Sequence, residues 1–268
     1  MNASQSANIL LERRGNIALI TLNRPAARNA LDLQSMQQLL QIARTLAADS
    51  QLKGVLLLGQ SGYFCAGGDV HYFQQLCSLP EAQRLPLLHD YIATAQDVIR
   101  VLAALPCPLI ACVDGAAAGF GLSLACLADQ VITSQRSRLL PAYTAIAASP
   151  DGGLSYLLTQ LIGERRALQW ILHNHPMPLE QALEWGLISE LQSNEDFTQR
   201  LDALIQTLAA SPACAFRNSK RLIKHTSLSA LDRQLTEELQ AFINSAMHPD
   251  FAEGIAAFSE KRAASFAQ

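Results

Sequence analysis

The sequence predicts an α/β fold followed by a helical C-terminal region, and three observations support this prediction. Short apolar runs alternate with stretches of helical periodicity through the first two thirds of the chain. The runs GVLLLG at 54–59 and PLIACV at 108–113 are apolar throughout, which is typical of parallel strands buried on both faces. After about residue 195 only helical patterns follow.

The first elements have clear sequence signals. Two β-type runs between residues 9 and 22 flank Arg14-Gly15-Asn16, which predicts an antiparallel hairpin. Asp32 can cap a helix that continues to about Asp49, because its apolar residues recur at helical spacing. The strand at 54–59 follows this helix.

The later elements repeat the alternation and then become helical. Strands alternating with helices predict parallel βαβ crossovers. The predicted elements are a helix at 91–104, a strand at 108–113, a helix near 120–128, a strand at 130–134, and helices at 195–210, 213–224, 228–247 and 249–265. We therefore predict a core of residues 1–194 and a C-terminal helical region of residues 195–268.

Composition narrows the class of protein. The chain has 268 residues, of which 50% are hydrophobic and 16% charged, so it can bury a sizeable core. A net charge of −3 argues against a nucleic-acid partner, and the absence of a long apolar run or a leader pattern argues against a membrane partner. The six cysteines form no C-x-x-C pair, which indicates reduced thiols and a cytoplasmic location.

Two glycine-rich segments could carry chemistry. Residues 64–69 read FCAGGD, and paired glycines allow backbone N–H groups to point outward. In the segment 113–125 a strand ends in a small-residue turn and a helix begins, where free N–H groups gather. One donor from each segment would form an oxyanion hole. The alternatives are a turn that only caps a helix and close packing of Ala and Gly.

Together with four other segments, these motifs resemble the enoyl-CoA hydratase/isomerase (crotonase) superfamily, in the expected order and over nearly the whole chain. The other segments are NRPAARNAL at 23–31, SPDGG at 149–153, LEQALEWGLISEL at 179–191 and DFAEGIAAFSEKR at 250–262. The resemblance implies a crotonase-like ββα spiral core and a C-terminal helical trimerisation region. It further implies an acyl-CoA thioester as substrate, no separate cofactor, no metal, and a homotrimer or homohexamer.

The resemblance assigns roles to individual residues. The backbone N–H groups of Gly68 and Phe120 match the oxyanion donors, with Phe in place of the usual small residue. Ser123 and Tyr143 stand where hydratases of the family carry two glutamates. Because neither side chain is a competent base near neutral pH, simple hydration is disfavoured.

Asp151 matches an aspartate that faces the acyl group in isomerase and dehalogenase members of the family. As a base it would remove a proton from a 3-enoyl thioester and return it at another carbon. Apolar surroundings would have to raise its pKa from an ordinary value of about 3.9. The alternative is a Pro-Asp-Gly-Gly turn that only caps the following helix.

The resemblance also implies substrate-binding positions. Residues that would border the adenine and pantetheine are Ala26, Arg28, Cys65, Ala66 and Gly67, while Ser123 and Tyr143 would line the acyl side. Phe258 and Lys261 would reach the nucleotide of a neighbouring subunit, although Lys261 could equally be a solvated helix-end charge. The stretch 72–92 is predicted to contribute loops to the acyl pocket.

These observations favour an enoyl-CoA isomerase and leave alternatives open. The chain could be a hydratase with an unidentified carboxylate, a hydrolase or dehalogenase with Asp151 as nucleophile, or a non-catalytic CoA-binding trimer. A serine hydrolase would need a histidine beside Ser123. His173 and His175 more simply form a surface turn than a metal pair, and Gly119-Phe120-Gly121 lacks the full dinucleotide motif.

Overall fold

The chain begins with the predicted hairpin. A computed structural model describes residues 7–266. Strands β1 (Ile9–Arg14) and β2 (Ile17–Leu22) pair in antiparallel register. Gly15 in the connecting turn has a φ of 61°, a conformation that glycine adopts without steric cost.

The remaining elements alternate and then become helical. In chain order they are α1 (Leu33–Ala47), β3 (Gly54–Gly59), α2 (Val70–Cys77), α3 (Glu81–Ala103), β4 (Leu109–Val113), β5 (Ala116–Ala118), α4 (Phe120–Leu127), β6 (Gln130–Ser134), β7 (Arg138–Leu140), α5 (Leu154–Ile162), α6 (Glu164–His173), α7 (Leu179–Glu184), β8 (Glu190–Gln192), α8 (Phe197–Ala210), α9 (Ala213–Met247) and α10 (Pro249–Glu260). Two 3-10 turns, Pro25–Ala27 and Tyr143–Ile146, lie between them.

A mixed sheet forms the centre of the fold. Within residues 7–266 it has six strands in the order β1-β2-β3-β4-β6-β8, and every pair after β1–β2 is parallel. Helices α1 and α3 pack against each other, and residues from both belong to the main hydrophobic core. The prediction of an α/β fold with parallel crossovers is confirmed.

The predicted division of the C-terminal helices was wrong. Two helices were expected at 213–224 and 228–247, but α9 continues through all 35 residues of Ala213–Met247. The intervening residues 225–227 are His, Thr and Ser, whose low helix propensity costs only a few tenths of a kcal/mol each. Without Gly or Pro the helix has no reason to stop there.

Two other helix boundaries also differ from prediction. Helix α10 ends at Glu260 rather than 265, because Lys261 adopts a φ of 55° and closes the helix in a position usually held by glycine. The stretch 72–92 is mostly helical, since α3 begins at Glu81 rather than at 91. Pro86, which usually ends a helix, is accommodated inside α3.

The structure also shows whether a helix could cross a membrane and what state the cysteines are in. No helix between residues 7 and 266 has both the length and the apolar character needed to cross a membrane. The six cysteines are all free thiols. Burial raises the pKa of the Cys65 thiol to about 12, so this side chain stays protonated at neutral pH.

Candidate active site

A single backbone bridge brings the two glycine-rich segments together. Cys65 pairs in parallel with Ala117 of β5, through hydrogen bonds of 2.8 and 3.0 Å to the residues on either side of Ala117. Gly68 and Phe120 each lie three residues beyond this pair. Because the segments run in the same direction, these two residues are carried to the same end of the bridge.

The orientation of both amides leaves them free to act as donors. Leu31 binds the segment on its other edge, accepting from the amide of Asp69 at 3.1 Å and donating to the carbonyl of Gly67 at 2.9 Å. In such a parallel bridge the N–H of the intervening residue, Gly68, points away from the partner. Phe120 is the first residue of α4 and has no partner within its helix. Within the described chain, neither amide donates a hydrogen bond.

The packing around the paired glycines excludes side chains. Gly67 has a φ of 100°, and a Cβ atom there would lie 2.8 Å from the Ala118 carbonyl oxygen and 3.4 Å from the Phe120 nitrogen. A Cβ atom on Gly68 would lie 2.9 Å from the ring of Phe73. The segment therefore requires glycine at both positions, and Gly67 directly adjoins the Phe120 amide.

A small cavity of about 60 Å³ lies at this end of the bridge. Seven of the residues predicted from the sequence line it: Ala66, Gly67, Gly68, Phe120, Tyr143, Asp151 and Phe258. Its other walls are Val70, Phe73, Gly119, Ala142, Ile146 and Phe242. In the part of the chain that the structure describes, Asp151 is the single carboxylate among the lining residues.

The environment of Asp151 favours proton transfer. The side chain is only 4% exposed, and burial raises its pKa to about 7. A hydrogen bond from the Tyr143 hydroxyl to Asp151 Oδ1, 2.5 Å long, opposes this rise, and the negative charge of Glu238 adds to it. A carboxylate whose pKa lies near neutral pH can act as a general base and as the returning acid.

Ser123 and Tyr143 form hydrogen bonds that hold Asp151 in place. Ser123 Oγ donates to the backbone carbonyl of Asp151 at 2.9 Å and lies 3.1 Å from the Tyr143 hydroxyl. Burial, followed by the charge of Asp151, raises the pKa of Tyr143 well above its ordinary value, so the phenol stays neutral. No histidine is among the partners of Ser123 in residues 7–266, which leaves a serine nucleophile without a base.

A comparison of the sequence with known protein families agrees with the geometry of the site. A sequence model for enoyl-CoA hydratase/isomerase matches residues 12–268. The chain belongs to this family. It is accordingly an enzyme of the crotonase type that acts on coenzyme A thioesters.

Individual members of the family are similar over almost their full length. The 4-chlorobenzoyl coenzyme A dehalogenase-2 of Arthrobacter sp is 29% identical, over 97% of this chain and 94% of that protein. The 1,2-epoxyphenylacetyl-CoA isomerase of Escherichia coli (strain K12) is 30% identical, over 96% and 97%. A crystal structure of an enoyl-CoA hydratase from Mycobacterium avium subsp. paratuberculosis K-10 superposes with a TM-score of 0.88 at 29% identity, covering 98% of this chain and 99% of that one.

The other predicted substrate-binding residues of this family member lie around the cavity or away from it. The backbone carbonyl of Arg28 accepts from the amide of Ala66 at 3.1 Å, so the 26–28 turn, with Ala26 exposed, adjoins the first glycine-rich segment. Cys65 is buried beneath that segment. Phe258 is 57% exposed and borders the cavity of its own chain, whereas Lys261 is an exposed residue outside the lining.

Other cavities and clusters contain none of the predicted catalytic residues. A larger cavity of about 580 Å³ lies between α5 and α9, and its charged groups Asp129, Lys220 and Lys224 are paired with one another. In the described chain no group of three or more His, Cys, Asp or Glu side chains is arranged to hold a metal ion. The rings of His173 and His175 lie 6.2 Å apart.

Two groups that hold the site in place were not predicted from the sequence. Arg24 bridges Asp32 and Asp69 at 3.1 and 2.9 Å, and Asp69 caps α2, so one guanidinium fixes the start of the helix after the first glycine-rich segment. Glu238 is a buried carboxylate on α9. Its position in the apolar helical stripe between Leu235 and Phe242 was a signal available in the sequence.

Proposed function

We propose that this enzyme moves a double bond in a 3-enoyl-CoA thioester. The observation that carries the proposal is Asp151, a buried carboxylate with a pKa of about 7, in the same cavity as the free amides of Gly68 and Phe120. One carboxylate is sufficient for this reaction. Hydration by two glutamates is disfavoured because Ser123 and Tyr143 occupy their positions.

The proposed reaction begins with loss of a proton. Asp151 removes the proton from C2, whose C–H bond is acidified by the thioester, and the electron pair delocalises into a dienolate. The N–H groups of Gly68 and Phe120 stabilise the negative oxygen, and one such donor contributes roughly 3–4 kcal/mol to the transition state. Protonated Asp151 then delivers the proton to C4, which leaves the double bond between C2 and C3.

A mass-resolved product assay tests this proposal. Purified protein is mixed separately with a short 3-enoyl-CoA, a short 2-enoyl-CoA and 4-chlorobenzoyl-CoA; short chains suit a cavity of about 60 Å³. We expect conversion of the 3-enoyl thioester to its 2-enoyl isomer at unchanged mass, detected by chromatographic separation of the two isomers and by the ultraviolet absorption of the newly conjugated thioester. Gain of water would instead support a hydratase, release of free CoA a hydrolase, and loss of chloride a dehalogenase. Absence of turnover on all three would contradict the proposal.

The Tyr143→Phe variant should move the pH dependence in a defined direction. The Tyr143 hydroxyl stabilises ionised Asp151, so its removal raises the pKa of this carboxyl above about 7. Because the base must be ionised, activity appears only at higher pH. We expect the acid limb of the kcat/KM profile to shift to higher pH, with most of the lost activity recovered in alkaline buffer.

The Tyr156→Phe variant is the matched control, since Tyr156 lies on α5 and does not line the cavity. Its acid limb should coincide with that of the unmodified enzyme. An acid limb of Tyr143→Phe that stays in place or moves to lower pH would contradict the assigned hydrogen bond.

A further inference from the structure

A second buried carboxylate, Glu238, holds the segment that carries Asp151. Glu238 is 3% exposed and projects from α9 onto the beginning of α5. Its Oε2 accepts from the amide of Gly153 at 2.6 Å, and its Oε1 accepts from the amide and the hydroxyl of Ser155 at 2.9 and 2.5 Å. Helix α9 in the C-terminal part of the chain thus binds the residues that follow Asp151 through the carboxylate of Glu238.

The hydrogen-bond donors around Glu238 favour its ionised form. The two amides can only donate. Ser155 Oγ already accepts from Gln234 Nε2 at 3.0 Å, so its own proton is directed to Glu238. Burial raises the pKa of Glu238, and these three donors oppose the rise. The positive end of α5 gives the negative charge further support.

The turn between Asp151 and α5 needs an external support. Gly152 and Gly153 have φ values of 63° and 79°, and consecutive glycines leave a chain with little intrinsic stiffness. Ser123 holds one end through the Asp151 carbonyl, and Glu238 holds the other through Gly153 and Ser155. The side chain of Asp151 lies between these two anchors.

We propose that Glu238 is a positioning residue for Asp151, which fixes the turn 151–155 and places a second negative charge near the base. The inference rests on the proposed function of Asp151 as the proton acceptor. Glu238 itself does not line the cavity. It acts through the turn and through its charge.

Among the described residues, three titratable side chains interact with the Asp151 carboxyl, and Glu238 is the one that carries a charge. The 3-10 turn contributes Tyr143, α3 contributes Tyr91, and α9 contributes Glu238. Burial raises the pKa of both tyrosines well above the ordinary value, so they remain neutral at working pH. The negative charge of Glu238 favours protonation of Asp151, which strengthens it as a base.

The Glu238→Gln variant tests the proposal. Glutamine removes the charge and turns an NH₂ group towards one of three donors, which loosens the turn. We expect kcat to fall by roughly 10-fold to 10²-fold, the size of effect that a misplaced catalytic group produces. The acid limb of the kcat/KM profile should shift to lower pH, opposite to that of Tyr143→Phe, and KM should change little.

A titration of the ligand-free protein separates this inference from the proposed function. The Asp151 carboxyl is followed by ¹³C NMR of aspartate-labelled protein and assigned by the signal missing from Asp151→Asn. We expect the titration midpoint to be lower in Glu238→Gln than in the unmodified protein. An inactive unmodified enzyme would refute the isomerase proposal, whereas an unmoved midpoint or an unchanged kcat would refute the role of Glu238.

Two more variants make the result specific. Glu237→Gln changes the exposed neighbour on α9 and should alter neither the midpoint nor kcat. Glu238→Asp keeps the charge but shortens its reach, so kcat should fall while the midpoint stays close to that of the unmodified protein. If Glu238→Gln does not fold, an undiminished kcat in Glu238→Asp would overturn the proposal.

Discussion

The Asp151→Asn substitution is expected to lower kcat for isomerisation by about 10²-fold to 10⁴-fold, the range that general base catalysis contributes. Asparagine has nearly the same shape, and its carbonyl can still accept the hydrogen bond from Tyr143. It cannot take up the C2 proton. The measurement is initial-rate kinetics with a short 3-enoyl-CoA. An Asp151→Asn enzyme with full activity would eliminate Asp151 as the base.

Unfolding experiments on Asp151→Asn test whether the loss of kcat comes from misfolding. The folded protein raises the pKa of Asp151 to about 7, so the buried charge costs stability above that pH. The cost declines as pH falls from about 7 and vanishes below the ordinary pKa of about 3.9, where Asp151 is protonated in both states. At alkaline pH the variant should therefore be more stable than the unmodified protein, by up to roughly 4 kcal/mol.

Asp90→Asn, at an exposed site on α3, is the control and should change neither rate nor stability.

The Gly67→Ala substitution is expected to lower kcat/KM by at least about 10²-fold, comparable to loss of one oxyanion donor. The new methyl group would lie 2.8 Å from the Ala118 carbonyl oxygen, so the backbone leading into Phe120 must move. This displaces the Phe120 amide from the thioester oxygen. Because charge on that oxygen develops in the transition state, kcat should fall more than KM rises.

The Gly62→Ala variant separates this effect from backbone strain. Gly62 has a φ of 73°, but a Cβ atom there meets no heavy atom within 4 Å. It should therefore cost about 1 kcal/mol of stability through its left-handed conformation and leave kcat/KM unchanged. Thermal unfolding and kinetics of the two variants give the comparison. Equal activity in Gly67→Ala and Gly62→Ala would refute the assigned donor pair.

The sequence predicted most of the α/β core because its signals are local. The apolar run of β3 and the Asp32 cap of α1 each depend on neighbouring residues only. The helix boundaries that the sequence predicted wrongly occur where a residue departs from its usual conformational preference. Lys261 adopts a left-handed conformation that usually marks glycine, and Pro86 is tolerated inside α3. The three-residue strands β5, β7 and β8 are too short to produce a periodic pattern.

The candidate site was predictable where it depends on backbone and not where it depends on tertiary contacts. The two glycine-rich segments are conspicuous in the sequence, and their resemblance to a family pointed to Gly68, Phe120 and Asp151. The hydrogen bonds from Ser123 and Tyr143 to Asp151 join residues that are 28 and 8 positions apart. Glu238 contacts Gly153 across 85 positions. Contacts of this kind follow from the folded topology, which no short segment encodes.

The walls of the cavity come from residues that are far apart in the chain, from Ala66 to Phe258. Closing so large a span is entropically costly, and such contacts form late in folding. A polypeptide that is still being synthesised can therefore have its central sheet in place and yet lack part of the cavity wall. The cavity is complete only when α10 docks onto α2 and the Tyr143–Ile146 turn, because Phe258 of α10 forms one of its walls.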